Sequence, residues 1–189
     1  MQVEYEATFA NINKDEIRKR LKNAGAILVR PEFLQKRENF YPIDDQQGWI
    51  RVRDEGDKIT LSYKKLESRE RMDGQKEICL EVDNFEEAKN FLKELGCRWK
   101  NFQESKRELW QLDGVEICLD EWPFLEPFVE VEGQSEESVK KVCEKLGFDY
   151  SKAKFCAAGD LYAEKYSIPV KEINESPKII FNMDNPFIK

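Results

Sequence analysis

Wherever this chain alternates with a period of two, one parity is apolar and the other is charged, and the sign of the charge is sorted by segment. Successive side chains of a strand point to opposite faces. Glu4, Glu6 and Thr8 therefore share a face; Trp49, Arg51 and Arg53 share one against Ile50 and Val52, and Thr60, Ser62 and Lys64 oppose Ile59, Leu61 and Tyr63. Glu77, Cys79 and Glu81 stand against Ile78, Leu80 and Val82; Glu116, Cys118 and Asp120 against Val115, Ile117 and Leu119; Glu130 and Glu132 against Val129 and Val131. Acids mark the first and last segments and bases the middle ones. The wet side of an antiparallel sheet would account for the alternation alone, but such a face usually mixes signs so that neighbouring strands pair. At least seven strands in so short a chain also favour closure over an open sheet with exposed edges. Closure turns the ionic face inward. Carboxylates on one wall and guanidinium or ammonium groups on another then suit a polyanion held by the bases and bridged to the acids by a divalent metal.

Three of the strand segments run into a helix with the same punctuation. Residues 3–9 lead into 13–24 and Gly25, residues 77–82 into 84–95 and Gly96, and residues 128–132 into 135–146 and Gly147. Asn13, Asn84 and Ser135 are N-cap candidates, with Glu16 and Glu87 placed three residues on as in a capping box. The glycines suit the left-handed position that ends a helix. Phe85, Ala88, Phe91, Leu92 and Leu95 recur at helical spacing, so such helices offer one stripe to a sheet and are packing elements. Further strands are expected over 49–53, 59–64, 106–112 and 115–120, with Asp113-Gly114 as a tight hairpin turn. After Tyr166, residues 178–183 read as one more short strand or a tail packed on the body.

Composition narrows the chemistry. The 189 residues allow one domain or two very small ones, and 12% aromatic residues with regular apolar runs argue for a folded chain. There is no histidine, so Ser-His-Asp triads, Cys-His pairs and His-ligated zinc or haem are excluded. Acid exceeds base by 38 to 31, which disfavours broad nucleic-acid or anionic-membrane binding. No stretch reaches the roughly 18 uncharged apolar residues of a membrane span. Five cysteines without a CxxC pair are expected as reduced core residues of a cytoplasmic protein.

The ordered set Glu4-x-Glu6, Trp49-Ile50-Arg51-Val52-Arg53, Leu61-Ser62-Tyr63-Lys64, Glu77 to Glu81, Lys106-Arg107 leading to Trp110, Asp120 and Phe128-Val129-Glu130-Val131-Glu132 resembles the CYTH superfamily, the triphosphate tunnel metalloenzymes. The resemblance covers residues 1–166, leaving 167–189 as a tail or short strand on the same domain. It implies an α+β fold: a closed eight-stranded antiparallel β-barrel with helices packed outside, binding a triphosphate with Mg²⁺ or Mn²⁺. Carried across, it implies Glu4, Glu6, Asp120, Glu130 and Glu132 as metal-binding carboxylates, with Glu4, Glu6 and Glu130 catalytic. It implies Arg51, Arg53, Lys64 and Arg107 as the grip on the triphosphate, and Glu77 and Glu81 as supports that orient those bases.

Activity is then expected from a metal-dependent phosphohydrolase acting on an inorganic, thiamine or nucleoside triphosphate. A class IV-type adenylate cyclase and a non-catalytic triphosphate or nucleotide binder are the alternatives. The partner is a triphosphate-bearing small molecule, with no nucleic acid and no membrane, and homodimerisation is left open. Two positions depart from the family. Thr8 stands where its first motif usually has lysine, removing one charge-assisted contact worth about 1.5–3 kcal/mol. Ser105 stands where many members have a second base, and Lys106 beside it points outward by parity.

Overall fold

Asp113 and Gly114 take positive φ angles of 52° and 79°, the geometry a two-residue hairpin turn needs to match the twist of its strands. They join two of nine strands found among the described residues, which are 1–43 and 48–188 of this computed structural model. The strands are β1 (Gln2–Phe9), β2 (Ile27–Tyr41), β3 (Trp49–Asp54), β4 (Ile59–Leu66), β5 (Gln75–Val82), β6 (Arg98–Leu112), β7 (Val115–Glu121), β8 (Phe128–Gly133) and β9 (Lys178–Ile179). Five helices accompany them: α1 (Lys14–Asn23), α2 (Phe85–Glu94), α3 (Glu136–Lys145), α4 (Ala158–Tyr166) and α5 (Val170–Glu175).

The sheet runs β2-β3-β4-β5-β1-β8-β7-β6 and closes through β2–β6 into an eight-stranded antiparallel barrel. β9 adds to β6 in parallel at Phe102 and Gln103, where the shorter β7 no longer covers that strand. The expected α+β barrel is therefore the observed fold. β1 lies between β5 and β8, which puts Glu6 opposite Glu132 and Thr8 opposite Glu130. The acidic segments at the two ends of the alternating region thus become neighbours.

The hydrophobic effect acts on the outside of the barrel. Ala7, Phe9, Ile117, Leu119, Val129 and Val131 point outward and pack with Ile17 and Leu21 of α1 and Val139, Val142 and Cys143 of α3. Phe40 and Val52 pack with Ala88 and Leu92 of α2. A third cluster joins Trp122 and Phe128 to Leu161 and Tyr162 of α4, Ile173 of α5 and Ile179 of β9. Burying each such side chain contributes roughly 1.5–3 kcal/mol, so apolar contact holds the barrel closed from outside while its interior stays polar.

The N-caps behave as expected, with the Asn13 side chain accepting from the amides of Asp15 and Glu16, and the Asn84 side chain from Glu86 and Glu87. The reciprocal capping box occurs elsewhere than expected. It forms in α3 between Ser135 and Ser138, whereas Glu16 turns to Arg20 one turn on. Five free cysteines are present, but Cys79 is exposed on β5 and so is no core residue. No helix among the described residues is long and apolar enough to cross a membrane.

Candidate active site

The inward parity of the barrel strands lines one cavity of about 870 Å³. Glu4 and Glu6 from β1, Arg51 and Arg53 from β3, Lys64 from β4, Glu77 from β5, Arg107 from β6, and Glu130 and Glu132 from β8 all face it. Acids crowd the β1–β8 side and bases the β3–β4 side, because each strand keeps one sign on one parity. This face of the protein is sequestered: Glu4, Glu6 and Lys64 are each less than a tenth exposed.

The bases are held by acids. Arg51 donates to Glu77 at 3.2 Å and Arg53 pairs with Glu55 at 2.6 Å. Arg107 grips Asp120 with two hydrogen bonds of 2.8 and 2.5 Å and reaches Glu130 at 2.6 Å. Lys64 Nζ stands 2.9 Å from a Glu4 oxygen, off the hydrogen-bond direction, and 3.5 Å from Glu77. Against burial and the neighbouring Arg51 charge, Glu4, Glu77 and Glu6 raise the Lys64 pKa. Burial and then Arg51 lower Arg53 to about 10.

Four of the acids have raised pKa values. Burial, then a hydrogen bond shared with Glu77, pushes Glu4 up to about 8. Burial, then the Glu130 charge, raises Glu6 well above the carboxylate range. Glu130 is raised by burial and Asp120, and Glu132 chiefly by burial. Glu77 goes the other way: burial is outweighed by the Glu4 hydrogen bond and the charges of Lys64 and Arg51, so it stays ionised. Carboxylates whose pKa values are raised by burial and by one another gain from added positive charge.

Two expected positions are placed differently. Glu81 is exposed near the end of β5, opposite Thr60, and the supports of Arg51 and Arg53 are Glu77 and Glu55 instead. Asp120 is buried with both oxygens on Arg107, which makes it a partner of that base in this arrangement. Trp122 packs with Phe128, Leu161 and Tyr162 and also borders the cavity, its ring 4.4 Å from the Arg37 guanidinium. Tyr162 is buried, donates to the Pro123 carbonyl at 2.5 Å and borders the cavity beside Val170, Ile173 and Asn174. The segment after Tyr166 therefore helps wall the tunnel. Lys165 instead pairs with Glu126 at 2.8 Å.

Sequence reading missed the β2 wall and the first half of β6. Arg37, Asn39 and Tyr41 of β2, with Lys100 and Gln103 of β6, line the same cavity. Burial lowers Lys100 to about 8. The signal was the period-two run Gln35, Arg37, Asn39, Tyr41, which is polar throughout and so shows no apolar contrast. Ser105 is fully buried, donating to the Gln35 carbonyl oxygen at 3.0 Å and accepting from Arg37. Lys106 points outward to Glu121, as parity required. Thr8 is enclosed, its backbone bridged to Lys154 and its hydroxyl without a hydrogen-bond partner.

Fold and lining together define a closed antiparallel β-tunnel with an acidic wall facing a basic one. Residues 4–158 match the CYTH domain, and the chain belongs to that family. No curated protein matches it. Among solved structures, a conserved hypothetical protein of Pyrococcus furiosus is similar with a TM-score of 0.69 at 22% identity, over 84% of this chain and 99% of that one. A protein of Vibrio parahaemolyticus provisionally assigned as an adenylate cyclase has a TM-score of 0.72 at 10% identity, over 86% and 98%. A Hippeastrum protein provisionally assigned as an adenylyl cyclase, with a dominant triphosphatase activity, has a TM-score of 0.56 at 15% identity, over 90% and 99%. At these identities the likeness is one of fold.

Proposed function

We propose that the chain is a metal-dependent phosphohydrolase acting on a triphosphate-bearing small molecule held in the tunnel. The observation that carries this reading is the opposition of Glu4, Glu6, Glu130 and Glu132 to Arg51, Arg53 and Lys64 around one cavity. A triphosphate carries charge along its length, and planar guanidinium forks match phosphate oxygens in pairs.

The acidic residues fit a hard divalent cation such as Mg²⁺ or Mn²⁺. They offer oxygen donors only, and burial with mutual repulsion raises their pKa values, so added positive charge would favour their ionised form. Glu4, Glu6, Glu130 and Glu132 would hold it, with Asp120 beside them; Asp120 and Glu130 share Arg107. Among the described residues, no three acidic or thiol groups are placed to hold a metal ion by themselves, so phosphate and water would have to complete the shell. When bound, such an ion neutralises phosphate charge and activates the attacking water.

The protein residues do the positioning. Arg51, Arg53, Lys64 and Arg107 would hold the phosphates against their mutual repulsion, and the barrel walls fix their direction. Deprotonation of the acidic wall accompanies loading, so binding releases protons. Product analysis tests the reading. Tripolyphosphate, thiamine triphosphate and ATP are incubated with Mg²⁺ or Mn²⁺, and orthophosphate release lost in Glu4→Gln supports hydrolysis. Cyclic AMP with pyrophosphate would instead identify a cyclase, and metal-dependent binding without turnover a binder.

A further inference from the structure

Five guanidinium groups, Arg37, Arg51, Arg53, Arg69 and Arg107, line the cavity, and four of them are matched by carboxylates. Arg37 is not. Its partners are neutral: it donates to the Gln35 side-chain oxygen at 2.8 Å and to the Ser105 hydroxyl, and lies over the Trp122 ring. It is 5% exposed, and its Nε has no partner. Burial and the charges of Arg51, Arg53 and Arg107 all oppose its ionisation, and Asp120, the acid that favours it, is shared out to Arg107. A cation buried without a counter-ion is costly and is ordinarily paired.

The surroundings hold that uncompensated cation in place. Ser105 donates to the same Gln35 oxygen that accepts from Arg37, while the Gln35 amide donates to Glu55 at 3.3 Å and Glu55 pairs with Arg53. One side of the guanidinium is thus fixed by neutral acceptors and an aromatic face, and the other borders the cavity. A larger cationic side chain at 105 would occupy the place of these contacts and repel Arg37. The small hydroxyl there is what admits a guanidinium from the neighbouring strand.

We propose that Arg37 is a free anion-binding group of the tunnel, whose charge is completed by a phosphate of the bound ligand. This deepens the triphosphate reading and rests on it for the identity of the ligand. The geometry gives the basic wall two kinds of member: bases neutralised by acids and, among the described residues, bases without an acid of their own, of which Arg37 is the guanidinium and the half-buried Lys100 amine the other. Arg37 contributes to ligand affinity without first breaking an ion pair.

Calorimetry with sodium tripolyphosphate, with and without Mn²⁺, and thermal unfolding of the ligand-free full chain with and without inorganic phosphate test this on wild type, Arg37→Met and Arg37→Lys. Arg37→Met is expected to weaken tripolyphosphate binding by about 10- to 100-fold, to lose stabilisation by phosphate, and to unfold at a higher temperature than wild type when ligand-free. Arg37→Lys retains part of the affinity. Unchanged affinity in Arg37→Met, or a lower unfolding temperature for its ligand-free form, overturns the inference and leaves the substrate reading standing. A wild type that ignores tripolyphosphate yet is stabilised by inorganic phosphate through Arg37 overturns the substrate reading and leaves the anion site standing.

Discussion

The two walls of the tunnel face the same cavity and meet the cost of burial in opposite ways. On the basic wall Arg51, Arg53 and Arg107 keep their charge by pairing with Glu77, Glu55 and Asp120. On the acidic wall Glu4, Glu6, Glu130 and Glu132 have raised pKa values, burial being the largest cause for each. The chemistry of the groups explains the difference. A guanidinium is effectively never neutral, so it must be paired when buried, whereas a carboxylate can neutralise itself within the ordinary pH range. The basic wall is therefore largely pre-formed, whereas on the proposed reading the acidic wall is completed by a bound cation.

The largest expected effect comes from removing an acid that would hold the cation. Glu6→Gln should lower metal-dependent turnover by more than about 100-fold, the upper end of what outer-sphere partners of a metal cost. Glutamine has the shape of Glu6 and can still accept from the Gln75 amide, so the variant should fold as well as wild type, and a circular-dichroism melt checks this. Full turnover in Glu6→Gln would break the assignment of the acidic wall.

Next in size is the loss of a base. Arg53→Met should weaken triphosphate binding by about 1.5–3 kcal/mol, one charge-assisted contact, and should destabilise the fold because Glu55 is left buried without its cation. Arg37→Met, by contrast, is expected to stabilise. Opposite shifts in melting temperature for these two arginine variants would sharpen the distinction between a paired and an unpaired base.

The pH dependence of the ligand-free chain separates the walls again. Four acids have folded-state pKa values above their ordinary 4.5. Such groups contribute stability that is complete below the ordinary value and is lost as pH rises through the folded values, up to about 8 for Glu4. Melting temperature should therefore fall between about pH 5 and pH 8, by an amount on the order of 5 °C, and the fall should shrink when Mn²⁺ and tripolyphosphate are present. Lys100, lowered to about 8, acts in the opposite sense only above that pH. A melting temperature that rises from pH 5 to pH 8 would contradict the proton-holding acidic wall.

The smallest effect concerns Thr8. Its hydroxyl is buried and unpartnered, so Thr8→Val should leave stability unchanged or raise it by up to about 1 kcal/mol. A loss of more than that by chemical denaturation would show the hydroxyl to be engaged.

Most of the barrel could be read from sequence wherever one strand face is apolar. β1, β3, β4, β7 and β8 alternate cleanly because outward residues such as Val52, Ile117 and Val131 feed the external cores, whereas β5 alternates with its outward Ile78 and Leu80 exposed. β2 escaped notice for two reasons. Pro31 interrupts it, and the register is irregular on either side of Arg30; farther on, its inward residues Gln35, Arg37 and Asn39 are polar beside the polar or charged Lys36 and Glu38. The first half of β6 is hidden likewise, with Asn101, Gln103 and Ser105 facing inward. α4 begins at Ala157-Ala158-Gly159 without a side-chain cap, and α5 has six residues, so neither carries the stripe and caps that marked α1 to α3. The site was legible where charge alternated with aliphatic residues, and Arg37 was lost with its strand.

Opposed walls gripping one small polyanion with a divalent cation is the central claim, and equilibrium dialysis of the chain against tripolyphosphate and Mn²⁺ tests it most directly. The account predicts saturable uptake of one tripolyphosphate per chain, strengthened by Mn²⁺ and abolished when Glu4 and Glu6 are both changed to Gln. Uptake that never saturates, or that is indifferent both to Mn²⁺ and to those two substitutions, would contradict it.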